Sequence, residues 1–317
     1  GRVASVVPDG DEAATAGVPA PAVATTEPPP PPTTTTITML SGTTLLAANP
    51  KVVVSASGVT LPVVGRQGDS LRVATPCERT ALVSSGVPIA AAEVVLDAGH
   101  GGREPGAVGP NGLTEKELNL QVVEHAQAAL ERAGVGVVLT RPTDYRMTLA
   151  ARAKVVEVLN PRAFVSVHHN AEPDSSWPRP GSETFYQIAS AESKRLAGLI
   201  YEEVVKALSA YPVAWVADSD AGAKYRPSGT GDDYYGILRR TQGTPGVLAE
   251  LAFISNPPEA ELLARPDVRK VEGEAVAKGI LRFLRTRDAG SGFSEPYPRS
   301  APAGSGGGSS GCVDPAI

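Results

Sequence analysis

The sequence predicts an α/β fold in which a twisted, mostly parallel sheet is flanked by helices on both faces. Short, mostly apolar runs at 94–96, 163–167 and 246–254 are typical of strands buried on both faces of a sheet. The stretches 118–130 and 191–208 carry apolar residues at helical spacing. Strands that alternate with amphipathic helices indicate a parallel sheet with crossover connections.

The first ninety residues divide into two predicted segments. Residues 1–49 are rich in Pro, Thr and Ala and include a proline run at 28–32. We expect a disordered stalk there, because such a composition cannot bury enough apolar area to offset chain entropy. Residues 50–90 contain short runs of strand-forming residues separated by glycine turns, which predict a small β-module, with an SH3-like domain as one option.

The rest of the chain holds a predicted α/β domain at 91–287 and a Gly/Ser-rich, flexible tail at 288–317. The net charge of -5 gives no support for a nucleic-acid partner. No apolar run reaches the roughly 18 residues that a membrane span needs. The chain starts at Gly1 without a signal peptide, so we interpret it as a mature or trimmed product, and we expect a monomer.

Histidine is concentrated at the predicted ends of strands. His100 follows the first apolar run in a glycine-rich loop, and His168 and His169 end the second run, whereas His125 lies within a helix. Ligands of open α/β sheets bind at the carboxyl ends of the strands, where a neutral imidazole is a candidate metal ligand. For His100 alone, an ordinary turn residue is the alternative. Packing explains poorly why three of the four histidines lie at such ends.

Two carboxylates each have two interpretations. Glu115 falls in the first turn of a predicted helix, where it either favours the positive end of the helix dipole or points inward at the loop of His100. Glu250 lies inside an apolar strand, and burying an unpaired charge is costly. A salt bridge to Arg239 or Arg240 is one explanation for Glu250, and a role in chemistry is the other.

Four motifs stand in order between residues 93 and 284. They are Asp97-Ala-Gly-His-Gly-Gly102 with Pro105-Gly-Ala107, Glu115-Lys116, Ser166-Val-His-His-Asn-Ala171, and Val247-Leu-Ala-Glu-Leu-Ala-Phe-Ile-Ser-Asn256. With these motifs the chain resembles the zinc-dependent N-acetylmuramoyl-L-alanine amidases of the bacterial cell wall, the amidase type 3 family. The resemblance covers about residues 93–284, but not the stalk, the β-module or the tail.

The resemblance implies a Zn²⁺ cofactor and a set of ligands. Matched motif by motif, the ligands fall on His100, Glu115 and His168, which leave a fourth position for water. Adjacent residues of a strand point to opposite faces, so His168 and His169 cannot easily reach one metal. The motif selects His168, and His169 is the alternative.

The resemblance also implies the reaction. The substrate is peptidoglycan, and the bond cut joins the lactyl group of N-acetylmuramic acid to L-alanine of the stem peptide. Glu250 is the implied general base, and Arg239 is placed near the oxyanion. The alternatives are another zinc hydrolase of the wall, either a peptidase or a deacetylase, and a non-catalytic binding or regulatory protein on the same fold.

Three further predictions concern a disulfide, the location of the protein and one internal loop. Cys77 and Cys312 flank it, and we predict a disulfide between them, with two unrelated thiols as the alternative. A chain of this kind is expected to be exported to the periplasm, the cell wall or the exterior. Residues 211–236 are rich in Gly, Pro and Asp, and we expect an irregular loop beside an open cleft rather than a helix that plugs it.

Overall fold

The computed structural model describes residues 39–171, 181–213, 222–291, 293 and 308–317. Its first part is an antiparallel sheet, and a short helix follows the first strand of this sheet along the chain. The elements are β1 (Leu40–Ser41), α1 (Gly42–Ala47), β2 (Val52–Val54), β3 (Thr60–Gln67), β4 (Ser70–Ala74), β5 (Thr80–Val83) and β6 (Ser85–Ile89). In space the strands follow the order β1–β6–β2–β3–β4–β5, which we call the small sheet.

The second sheet is interleaved with helices along the chain. Its strands are β7 (Val94–Ala98), β8 (Val137–Leu139), β9 (Ala163–Asn170), β10 (Glu183–Tyr186), β11 (Gly222–Lys224) and β12 (Gly246–Phe253). The helices are α2 (Glu115–Arg132), α3 (Leu149–Leu159), α4 (Ala191–Leu208), α5 (Gly236–Arg240), α6 (Pro257–Leu263) and α7 (Pro266–Arg285).

The second sheet has the order β11–β10–β12–β9–β7–β8. β12, β9, β7 and β8 run parallel, whereas β10 runs antiparallel to β12, and β11 pairs parallel with β10. The carboxyl ends of β7, β9 and β12 therefore meet at one edge of the sheet. The mixed α/β class predicted from the sequence is confirmed.

Alternate residues of the central strands enter two different cores. Leu96 and Val165 pack with α2, α4 and α7 on one face. Val95 and Phe164 pack on the other face with α3, α5 and residues of the small sheet, such as Leu61. Helices alone were expected on both faces, and the structure instead covers the second face partly with the small sheet. Each strand is buried on both sides, which explains why the strand sequences lack an alternation of polar and apolar residues.

The chain becomes ordered earlier than the predicted stalk allows. Residues 40–47 form β1 and α1, and Leu45 is buried in the core that includes Leu61. The prediction of disorder through residue 49 is therefore wrong for this stretch. Leu40 and Leu45, which lie among threonines in the sequence, supply apolar contacts to the core. Residues 1–38 of the predicted stalk lie outside the described residues.

The last ten residues are attached to the rest of the structure. The structure contains the predicted disulfide between Cys77 and Cys312. Asp314 accepts a hydrogen bond from the Cys77 amide at 2.8 Å, and Arg146 donates to the Gly308 and Ser310 carbonyls at 2.7 and 3.0 Å. The expected flexibility of the tail does not hold for 308–317, because a covalent bond and charged side chains fix these residues.

In the described part of the predicted irregular loop at 211–236, the edge strand β11 forms at 222–224 and α5 begins at Gly236. Residues 214–221 of this loop lie outside the described residues, as does most of its apolar run at 213–217. Within the described parts of the chain, no helix has the length and apolar character that crossing a membrane requires. The domain boundaries near 91 and 288, and the likeness of the small sheet to an SH3 domain, stay predictions.

Candidate metal centre

The loop after β7 brings His100 close to His168. His100 has a left-handed backbone with φ of 62°, and Gly101 and Gly102 follow at 133° and 57°. A Cβ atom at Gly99 would lie 2.2 Å from Cε1 of His168, so only glycine permits this approach. The two imidazole rings are 5.0 Å apart between centroids and nearly perpendicular, at 79°.

Two buried arginines hold the backbone of this loop. Arg152 donates to the carbonyls of Ala98 and His100 at 2.7 and 2.5 Å. Arg141 donates to the carbonyls of Ala98 and Gly99, each at 2.9 Å. Guanidinium groups thus bind three successive carbonyls, which keeps His100 in place despite its unfavourable φ.

A buried carboxylate balances these positive charges. Asp97 accepts hydrogen bonds from Arg152 at 2.5 Å, from Thr140 at 2.5 Å and from Ser166 at 2.7 Å. Burial opposes ionisation, but the Arg152 charge and these hydrogen bonds hold the pKa of Asp97 below its ordinary value. Burial and the neighbouring Arg152 lower the pKa of Arg141 to about 10. Asp97 therefore stays ionised and anchors the arginine that supports His100.

The carboxylate of Glu115, the first residue of α2, lies between the two imidazoles. Its Oε2 is 3.0 Å from His100 Nε2, and its Oε1 is 2.9 Å from His168 Nδ1. The Ala107 amide also donates to Oε2 at 2.9 Å. The structure thus favours the inward orientation of Glu115 over a purely helix-end role. Ligand atoms of His100, Glu115 and His168 all lie within 4.8 Å of one another.

The protonation of this group suits a metal ion. Burial opposes the charge of Glu115, but hydrogen bonds and positive charge from His100 and His168 hold its carboxyl pKa well below the ordinary value. Burial lowers the pKa of the His168 imidazole, although Glu115 acts in the opposite direction. An ionised carboxylate and an imidazole that favours its neutral form are the states that metal ligation requires.

The two adjacent histidines of β9 face opposite sides of the sheet. His168 points to the side of Ser166 and the metal group, and His169 points to the side covered by α2 and α7. His169 instead contacts Asn119 and Glu272 through its ring nitrogens, at 2.8 and 3.4 Å. The geometry therefore groups His168, and not His169, with His100 and Glu115.

Glu250 of β12 lies beside this group. Its Cα pairs in register with His168 on one side and with Glu183 of β10 on the other. Glu183 is held by Lys224, with Nζ 2.5 Å from Oε1, and by Asn170, whose Nδ2 donates to Oε2 at 2.6 Å. The carboxylate in the apolar strand thus lies at the same sheet edge as the two imidazoles, where it can exchange a proton with a molecule bound there.

A cavity of about 290 Å³ opens next to the metal group. His100 and His168 line it together with Tyr235, Gly236 and Met147. A lining that combines apolar side chains with a few polar groups is typical of a ligand site.

Arg239 does not belong to the same cluster of contacts. Its Nη1 donates to the carbonyl of Tyr234 at 2.5 Å and to that of Asp233. Arg240 donates to the Gly236 carbonyl at 3.2 Å. These bonds hold the segment that leads into α5, and Gly236 in that segment lines the cavity.

Sequence reasoning gave no supporting role to Asp97, Arg141, Arg152 and Asn119. All four are buried. Asn119, Arg141 and Arg152 donate to carbonyls of the loop, and Asp97 accepts a hydrogen bond from Arg152. The sequence does hold one signal, because a buried-strand residue such as Asp97 and an arginine directly after a strand, such as Arg141, each need a partner.

The fold and the site define an α/β protein with a three-residue group of the kind that binds metal ions in hydrolytic enzymes. Residues 94–282 match the family model described as N-acetylmuramoyl-L-alanine amidase. The chain belongs to this family.

Individual relatives agree with that assignment. The chain is 30% identical over 213 residues to the germination-specific N-acetylmuramoyl-L-alanine amidase of Bacillus subtilis, covering 62% of this chain and 82% of the relative. It is 32% identical over 200 residues to the amidase LytC of the same organism, covering 62% of this chain but only 36% of LytC.

A solved structure gives the same result. The catalytic domain of the amidase CwlV from Bacillus (Paenibacillus) polymyxa superposes with a TM-score of 0.52 at 31% identity. The match covers 61% of this chain and 98% of the CwlV domain. The small sheet and the tail lie outside residues 94–282, the part that matches the family model.

Proposed function

We propose that the protein is a peptidoglycan hydrolase that cuts the amide bond between the lactyl group of N-acetylmuramic acid and L-alanine of the stem peptide. The observation that carries the proposal is the placement of Glu250 directly beside His168, next to the His100–Glu115–His168 group, in a chain of the amidase family. Metal-dependent hydrolysis of an amide needs a metal site and a general base next to it.

The donor set fits a zinc ion. Among the described residues, two imidazoles and one carboxylate lie close enough to share one ion. Three protein ligands that leave the fourth position open are the arrangement of a hydrolytic zinc site. His100, Glu115 and His168 would hold the ion. When bound, Zn²⁺ would supply a Lewis acid for the lactyl carbonyl and would lower the pKa of a bound water.

The chain's own residues then have separate tasks. Glu250 takes a proton from the attacking water, whose oxygen bonds to the lactyl carbonyl carbon. As the carbon–nitrogen bond breaks, Glu250 returns that proton to the leaving amine of L-alanine. The loop of His100 stays fixed during these steps because Arg141 and Arg152 hold its carbonyls.

Arg239 enters the proposal as a support for the cleft wall. Its hydrogen bonds to the carbonyls before α5 fix the position of Gly236, and its predicted role near the oxyanion stays a prediction. Export to the periplasm, the wall or the exterior is also proposed, and the Cys77–Cys312 disulfide supports it, because disulfides persist in oxidising compartments. The monomeric state stays a prediction.

The test is digestion of purified muropeptides by the full chain loaded with Zn²⁺, followed by mass spectrometry. An amidase releases the free stem peptide and an intact sugar. A peptidase would cut within the stem peptide, a deacetylase would release acetate, and a binding protein would leave all bonds intact. A cut within the stem peptide, release of acetate, or no cleavage at all would contradict the proposal. Glu250→Gln provides the matched inactive control.

A further inference from the structure

A buried amide lies directly behind Glu115. Asn119 is one helical turn after Glu115 on α2, and its side chain is fully buried. Its Nδ2 lies 3.3 Å from Glu115 Oε1 and 3.3 Å from the Gly99 carbonyl. Both partners are acceptors only, so the amide nitrogen must face them and Oδ1 must point the other way.

The oxygen of that amide faces His169. His169 Nδ1 is 2.8 Å from Asn119 Oδ1, and because Oδ1 can only accept, Nδ1 carries the hydrogen. The ring's other nitrogen faces Glu272 of α7 at 3.4 Å, and both side chains are buried. A continuous polar chain therefore runs from α7 through His169 and Asn119 to the carboxylate of Glu115.

We propose that His169 and Asn119 form a positioning unit that fixes the Glu115 carboxylate and so sets the affinity of the site for zinc. Oε1 of Glu115 also accepts from the His169 backbone amide at 3.3 Å, so this oxygen is oriented from two sides by residues that do not reach the metal group. Groups that orient a metal ligand in this way commonly change metal affinity by about 10–100-fold when they are removed. The inference rests on the proposed zinc site at Glu115.

A purely packing role for His169 makes a different prediction. An imidazole that only fills space among α2, α7 and β9 could be replaced by leucine without loss of zinc affinity. The hydrogen-bond chain requires a donor at the Nδ1 position. An asparagine at 169 can present its amide nitrogen there, so His169→Asn should retain the function that His169→Leu removes.

The experiment measures the zinc dissociation constant of the full chain by competition with a chromophoric chelator. His169→Leu and Asn119→Leu should each weaken zinc binding by about 10–100-fold. The double variant should be no weaker than the weaker-binding single variant, because both act on the same oxygen. His169→Asn should recover most of the affinity. Thermal unfolding of each metal-free variant identifies any that fail to fold, and His169→Asn keeps the test decisive in that case.

Glu272 and Glu274, both on α7, allow a test variant and a matched control. Glu272→Leu removes the polar contact at His169 Nε2, whereas Glu274→Leu removes a more exposed carboxylate that pairs with Arg132 and Lys270. Glu272→Leu should weaken zinc binding and Glu274→Leu should not.

The outcomes separate the two proposals. If the unaltered protein binds no zinc, the proposed function fails and this inference fails with it. If the unaltered protein binds zinc and His169→Leu binds it equally well, or the losses of the single variants simply add, the positioning unit is refuted while the proposed function stands.

Discussion

Glu250 and His168 are direct neighbours across the parallel pair of strands β12 and β9, with their Cα atoms in register. Side chains in register on neighbouring strands share one face, so the carboxylate and the imidazole reach the same space. This relationship brings together two residues that the sequence places 82 positions apart.

The first prediction is that Glu250→Gln lowers kcat by about 10²–10⁴-fold while zinc stays bound, because Glu250 is the general base of the proposed mechanism and not a proposed ligand. Steady-state hydrolysis of a muropeptide and metal analysis of the same sample check it. Loss of zinc from this variant would show that Glu250 is a ligand.

The second prediction separates the two adjacent histidines. His168→Ala and His100→Ala should lose both zinc and activity, because each removes a ligand. His169→Ala should still hold zinc when the metal is supplied in excess, although more weakly. Metal content after gel filtration in zinc-containing buffer is the measurement. The reverse pattern for His168 and His169 would place the ligand one residue later.

The third prediction uses a glycine that sequence alone does not single out. Gly99→Ala places a methyl group 2.2 Å from the ring of His168, so the His100 loop or the ring must move. We expect zinc affinity to fall at least tenfold with the fold retained. Gly229→Ala is the control, because nothing lies within 4 Å of its added Cβ. Equal zinc binding by both variants would contradict the observed approach.

Local patterns made part of this architecture predictable from the sequence. The apolar runs of β7, β9 and β12 are long enough to be recognised in the sequence. His100 lies two residues after β7, and His168 lies near the carboxyl end of β9. The edge strand β11 has only three residues, which is too short for any period to be detected.

The supporting contacts were not predictable for a different reason. Arg141 and Arg152 reach the loop of His100 from 42 and 52 residues along the chain. Such partners depend on how the strands are ordered in the sheet, and no spacing in the sequence encodes that order. The contribution of the small sheet to the second core likewise appears only in three dimensions.

The fourth prediction concerns the disulfide. The bond closes a loop with a sequence separation of 235, which restricts the unfolded chain strongly in the entropy model. Replacing Cys77 and Cys312 with alanine should lower the free energy of unfolding by about 2–5 kcal/mol. Chemical denaturation measures this change, and thiol titration of the non-reduced protein should find no free thiol. Two titratable thiols would rule out the bond.

The fifth prediction is a pH dependence of stability that comes from Glu259. This residue of α6 is fully buried, and burial together with the negative charge of Glu272 raises the pKa of its carboxyl to about 8, although a hydrogen bond from the Phe253 amide opposes the shift. The folded protein therefore holds a proton that the unfolded chain, with a carboxyl pKa near 4.5, has already released. The free energy of unfolding should fall as pH rises from about 5 to about 8, by at most about 1.4 kcal/mol per pH unit, and then level off.

Glu259→Gln should remove this slope and Glu261→Gln, at an exposed position on the same helix, should leave it, as measured by urea denaturation at each pH. Identical slopes for the two variants would show that Glu259 is not the responsible group.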